Sequence, residues 1–123
     1  MAKILVVDDE ESIRSFVQRA LAMDGHDVKT ACDGAEALDV LVENSFDVML
    51  SDIRMPLMDG IALALSAGRD YPGMTILLMT GFADQRERTS DLETLIHDVV
   101  TKPFSLAQIR EAVDGAVRAK QAA

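Results

Sequence analysis

Ile4-Leu5-Val6-Val7-Asp8-Asp9-Glu10-Glu11 sets four apolar residues directly before four consecutive acids. A short apolar run without polar alternation is the pattern of a strand buried on both faces. Val48-Met49-Leu50 and Ile76-Leu77-Leu78-Met79 repeat it. Asp27-Val28-Lys29-Thr30-Ala31 and Asp98-Val99-Val100-Thr101 are more polar and suit the edges of a sheet. Between these runs the apolar spacing turns helical. Ile13, Phe16, Val17, Ala20 and Leu21 recur at three and four residues, with Gly25 as the stop. Ala35, Leu38, Leu41 and Val42 follow Asp33-Gly34, and Ile61, Leu63, Ala64 and Leu65 form a third segment ending near Gly68 and Pro72. A fourth, Asp84 to Leu95, is mostly polar, with Leu92 and Leu95 as its anchors. The fifth opens with Ser105 as N-cap and continues through Leu106, Ile109, Val113 and Val117.

Strand followed by helix, five times over, predicts an α/β fold: a doubly wound, five-stranded parallel sheet with five helices on its two faces. In such folds functional groups gather beyond the carboxyl ends of the strands. The length of 123 residues fits one domain spanning 1–123, with no output domain expected. With 49% hydrophobic and 27% charged residues, the composition is that of a globular chain with a real core, and disorder is excluded. No apolar run approaches the ~20 residues that cross a bilayer, and the N-terminus lacks a secretory signal. One cysteine, Cys32, permits no internal disulfide, which fits a cytoplasmic location. The net charge of −9 argues against nucleic acid as a partner. The acidity is uneven: residues 1–59 hold 13 Asp or Glu against 5 Lys or Arg, whereas residues 60–123 hold 8 against 7. Glu10 and Glu11 suit the positive end of a following helix. Asp8 and Asp9 call for another explanation.

That explanation lies in the residues at the end of each strand: Asp8-Asp9 after the first, Ser51-Asp52 after the third, Thr80-Gly81 after the fourth and Thr101-Lys102-Pro103 after the fifth. Three carboxylates, a hydroxyl and an ammonium are thereby directed to one rim. If the first and third strands are neighbours, Asp8, Asp9 and Asp52 approach within a few ångströms and raise one another's pKa unless a cation compensates them. An all-oxygen donor set favours a hard ion such as Mg2+.

These four motifs, together with Ile53-Arg54-Met55-Pro56-Leu57-Met58-Asp59-Gly60 and Phe104, resemble the signature of response-regulator receiver domains, in order and along essentially the whole chain. The resemblance implies a CheY-like, flavodoxin-type fold with strand order 2-1-3-4-5. It implies a phosphoprotein of two-component or phosphorelay signal transduction, in which Asp52 takes a phosphoryl group from a phosphohistidine on a histidine kinase or histidine phosphotransfer protein. Asp9 would bind Mg2+ directly and Asp8 through water, with Asp52 and the backbone carbonyl of Arg54 completing the ligands. Lys102 would pair with the phosphoryl group, Thr80 would donate a hydrogen bond to it, and Gly81 would leave the approach open. The Lys102-Pro103 bond is expected to be cis. Phosphorylation would draw Thr80 and Lys102 inward and move the Gly81–Asp84 loop and the fourth helix, altering a surface made with the fifth strand and fifth helix. The chain would not be an enzyme, beyond promoting its own phosphorylation and dephosphorylation.

Val99 occupies the position where receivers usually carry a switching aromatic, and valine has few rotamers to switch. His97 and His26 are taken as structural, Cys32 as a small packed group, and Met49, Met74 and Met79 as core. Phe82 is expected to pack, and Asp84, Arg86, Glu87 and Arg88 form a solvated or partner-facing surface. A phosphohydrolase using an aspartyl-phosphate needs a second acid two residues beyond the nucleophile, where Arg54 stands instead. A flavodoxin-type carrier would not place four acids where FMN phosphate binds, and there is no Gly-Lys-Ser/Thr loop for nucleotides. Among stand-alone receivers, the stretches Ser51–Pro56 with Met58–Ala64, Thr80–Arg88 and Leu95–Phe104 resemble the CpdR type, which implies an adaptor that primes the ClpXP protease when unphosphorylated; a monomer is expected. A chemotaxis-type single-domain messenger or phosphorelay intermediate is the alternative.

Overall fold

A computed structural model describes residues 2–81 and 95–122. Five strands, β1 (Lys3–Val7), β2 (Asp27–Ala31), β3 (Val48–Asp52), β4 (Thr75–Thr80) and β5 (Asp98–Thr101), form one sheet in the order β2-β1-β3-β4-β5. All neighbours run parallel. Four helices lie among the described residues: α1 (Glu11–Ala22), α2 (Gly34–Glu43), α3 (Gly60–Asp70) and α4 (Leu106–Ala122), the last being the fifth helix expected from the sequence. The expected fourth helix lies outside the described residues, apart from its final anchor, Leu95.

The continuous apolar runs are explained by two cores, one on each face of the sheet. Because strand side chains alternate, Leu5, Val7, Met49, Ile53, Ile76 and Leu78 face one way, against Ala37 and Leu41 of α2 and Leu63, Ala64 and Ala67 of α3. Ile4, Val6, Val48, Leu50, Leu77 and Met79 face the other way, against Val17 and Leu21 of α1 and Ile109, Val113 and Ala116 of α4. β2 and β5 are the edges, as their polar character predicts. Met49, Met74 and Met79 are core residues.

The helix starts follow the local chemistry of their caps. The Asp33 carboxylate accepts from the Glu36 amide and that of Asp59 from the Ala62 amide, each at 2.8 Å. Ser105 Oγ accepts from the Gln108 amide at 3.1 Å while Gln108 Oε1 accepts from the Ser105 amide at 2.7 Å, a reciprocal capping box. Glu10 flanks α1 without a side-chain cap, and Glu10 and Glu11 suit the positive end of its dipole.

The third helix ends at Asp70, between Gly68 and Pro72 as the sequence predicts, with Gly68 in its last turn. That glycine forms a notch: a Cβ at Gly68 would lie 2.1 Å from Leu95 Cδ1, so the missing side chain is what lets Leu95 seat on α3. Gly60 has a more consequential role at the start of α3. Its amide donates to the Ile53 carbonyl at 2.7 Å, and a Cβ there would stand 2.1 Å from the Asp52 carbonyl oxygen. The helix therefore abuts the main chain at the end of β3. Because the obstacle is backbone and not a rotatable side chain, Gly60→Ala is expected to destabilise the fold by about 1–3 kcal/mol, measured by urea unfolding. Unchanged stability would contradict this packing.

Candidate acidic phosphoryl and cation site

Parallel register delivers the site. β1 pairs with β3 as Val7 with Ser51, which places the next residues, Asp8 and Asp52, side by side beyond the paired cores. β4 pairs with β5 as Thr80 with Thr101, and the Lys102 amide donates to the Thr80 carbonyl at 2.7 Å, so the lysine leaves the sheet on the same rim. Asp8, Asp9 and Asp52 each bring a carboxylate oxygen within 4.8 Å of the others. Asp8 is fully buried, Asp52 nearly so, and Asp9 is exposed. Lys102 Nζ lies 2.9 Å from Asp8 Oδ2 and 3.1 Å from Asp52 Oδ1, bridging the two buried acids. Thr80 is buried at the end of β4, and the Lys102-Pro103 bond is cis. Asp9, Glu10, Asp52, Arg54, Gly81 and Lys102 line an open cleft of about 440 Å³.

Every site residue expected from the sequence among Asp8, Asp9, Asp52, Arg54, Gly81 and Lys102 therefore meets at one place. Val99 sits apart, half-buried on β5 and packed towards the α2–α3 core. The expected switch elements Phe82, Asp84, Arg86, Glu87, Arg88 and Leu92 lie outside the described residues. Cys32 requires a correction: it is not a small packed apolar group. Its Sγ lies 3.4 Å from Glu36 Oε2, and that hydrogen bond, with burial and the nearby acids, pushes the thiol above its ordinary range. His26, given no role by the sequence, accepts the Ala2 amide at Nδ1 over 3.1 Å. Arg14 was also missed: its Nη1 donates to the Asp8 carbonyl at 2.7 Å. Only its position one turn beyond an acidic pair could have pointed to it.

The electrostatics are those of a cluster short of positive charge. Burial, then the charge of Asp8, pushes the Asp52 carboxyl up to about 6 despite the attraction of Lys102. Burial works against the Lys102 charge, but hydrogen bonding to Asp8 and the charges of Asp52 and Asp8 outweigh it, and its pKa is raised. The residues fit a hard divalent cation on chemical grounds. The donors are all oxygens, two of the three acids are already desolvated, and one ammonium in contact leaves the cluster negative. Since Asp52 binds its proton more tightly folded than unfolded, its contribution to stability is greatest below about pH 4 and falls as pH rises towards 6. In EDTA, Asp52→Asn should therefore melt above wild type at pH 7.5, with a gap that shrinks towards pH 4 in calorimetry. A gap that is constant with pH would contradict the raised carboxyl.

Comparison with known proteins agrees with this geometry. Residues 4–114 match the family model of the response regulator receiver domain. The chain is 36% identical over 116 residues to a probable transcriptional regulator, ycf27, of Guillardia theta, covering 94% of this chain and 45% of that protein. It is 38% identical over 114 residues to the DNA-binding transcriptional regulator NtrC of Escherichia coli K12, covering 93% of this chain and 24% of that one. The chain thus spans about half, or less, of the length of these curated relatives. Among solved structures, a receiver domain protein from Clostridium thermocellum superimposes with a TM-score of 0.90 at 29% identity, covering 99% of this chain and 98% of that one. TrrA from Thermotoga maritima, solved in complex with Mg2+-BeF, gives 0.86 at 30% identity, over 94% and 99% of the two chains. With the strand order β2-β1-β3-β4-β5 and the acids and lysine on one rim, the match is of sequence and architecture together, and the chain belongs to the response-regulator receiver domain family.

Proposed function

We propose that Asp52 is the phosphoacceptor of a two-component phosphorelay, and that its phosphorylation alters a protein-binding surface. The observation that carries this is Lys102 bridging Asp52 and buried Asp8 beside exposed Asp9, in a cleft open to a donor. An Asp52 carboxylate oxygen attacks the phosphorus of a phosphohistidine on a kinase or phosphotransfer protein. The P–N bond breaks, its electron pair returns to the imidazole, and an acyl phosphate forms. Such transfer depends mainly on positioning and charge stabilisation.

Asp9, Asp52 and the backbone carbonyl of Arg54 would hold Mg2+, with Asp8 acting through water. The ion, when bound, neutralises charge on the acids and the incoming phosphoryl group. Mg2+ is supported by the all-oxygen donor set and by the Mg2+-BeF complex of the related TrrA. Lys102 contributes a mobile point charge: on phosphorylation it keeps Asp8 and exchanges the Asp52 carboxylate for the phosphoryl oxygens. Thr80, at the end of β4, donates its hydroxyl to the same group. Gly81 keeps the entrance wide: among the described residues, a Cβ there would come within 4 Å of Lys102 Cβ alone, at 3.9 Å. Pro103 turns the chain beyond the lysine, and Val99 leaves the surface change without a rotating aromatic on β5.

The finer assignment, an adaptor that engages the ClpXP protease when unphosphorylated, rests on the likeness to the CpdR type. With acetyl phosphate and Mg2+, the wild-type chain is expected to take one phosphoryl group and Asp52→Ala none, read by intact-protein mass spectrometry. Labelling of the variant at another residue would overturn the phosphoacceptor assignment. Capture of purified ClpX by the unphosphorylated chain, lost with beryllofluoride, supports the adaptor; partner binding only with beryllofluoride supports a messenger.

A further inference from the structure

We propose that Arg14 is a positioning residue that pins the Asp8–Asp9 peptide and so sets how tightly the acid cluster takes a divalent cation. This rests on assigning Asp8, Asp9 and Asp52 to that cation. Arg14 stands in the first turn of α1, where its amide donates to the Glu10 carbonyl at 3.1 Å. Its side chain turns back to the end of β1, and Nη1 donates to the Asp8 carbonyl at 2.7 Å. A charged donor at that distance is the strong form of a hydrogen bond.

The remaining polar atoms of Asp8 are also held. Its amide donates to the Ala31 carbonyl at 3.2 Å, Oδ1 accepts from the Glu10 amide at 2.9 Å, and Oδ2 accepts from Lys102 at 2.9 Å. The carbonyl held by Arg14 belongs to the peptide that joins Asp8 to Asp9. Rotation of that peptide plane would break the Arg14 contact and swing Asp9, whose exposed carboxylate takes its placement from the main chain beneath it. Partners that orient metal-binding groups from behind commonly carry a 10- to 100-fold share of metal affinity.

The test uses the whole chain as wild type, Arg14→Gln and Arg14→Lys, titrated with Mg2+ and followed by the amide resonances of Asp9 and Gly81. Arg14→Gln is expected to bind Mg2+ roughly 10-fold more weakly, and Arg14→Lys, which keeps a charged donor, to recover most of the loss. Phosphorylation of Arg14→Gln by acetyl phosphate should regain the wild-type maximal rate at saturating Mg2+, a split that general loss of structure would not produce. In wild type, the Arg14 Nε–H resonance should shift with the same Mg2+ midpoint as Asp9, a readout that survives if a variant fails to fold. Affinity of Arg14→Gln within twofold of wild type, Arg14→Lys as weak as Arg14→Gln, or an Arg14 resonance indifferent to Mg2+ would overturn the proposal. A wild-type chain that binds no Mg2+ would overturn the ligand assignment itself.

Discussion

Three carboxylates within 4.8 Å, two of them buried, are held at the rim of the sheet with a single ammonium in contact. This is an unfavourable charge arrangement, and its strain falls on Asp52, whose carboxyl rises to about 6. Lys102 relieves the cluster only in part, because its one positive charge faces three carboxylates. A group in this state responds strongly to any added charge nearby. On the proposed function, a divalent cation would lower the cost of ionising Asp52, and a transferred phosphoryl group would draw Lys102 away from it. On that proposal, the same deficit would make the site receptive and its two states different.

The sheet creates that deficit by geometry. Strands buried on both faces cannot carry polar groups along their length, so chemistry-bearing residues are confined to their ends. Parallel pairing of β1 with β3 sets Asp8 beside Asp52, and pairing of β4 with β5 brings Lys102 to them. Gly60 admits α3 against the main chain of Asp52, while Arg14 and Glu10 fasten Asp8 from the start of α1. The core thereby holds three like charges closer together than they would stand in a flexible loop.

Much of this could be read from residue order alone. The runs Ile4–Val7, Val48–Leu50 and Ile76–Met79 lie within β1, β3 and β4, and the polar runs Asp27–Ala31 and Asp98–Thr101 are the two edge strands. The acids and Lys102 were legible because each lies at the end of a strand core. What escaped depends on which side chains meet once the chain has folded. Gly68 marks the end of α3 correctly, but its second use as a seat for Leu95 does not show, and Cys32 looks apolar until Glu36 is found beside its thiol. Arg14 looks like an ordinary polar position on an amphipathic helix, because a side chain turning back to a carbonyl six residues earlier leaves no periodic signal. The bridging position of Lys102 between Asp8 and Asp52 likewise depends on side-chain reach, which strand pattern does not encode.

The claim that unites these features is that the charge on Asp52 is costly until a divalent cation joins the cluster. Carbon-13 NMR titration of the Asp52 carboxyl, with and without Mg2+, measures that cost at the atom concerned. The account predicts a midpoint near 6 without the ion and a clear fall towards the ordinary carboxylate range when Mg2+ is present. An ordinary midpoint without the ion, or a raised one that Mg2+ leaves in place, would contradict it.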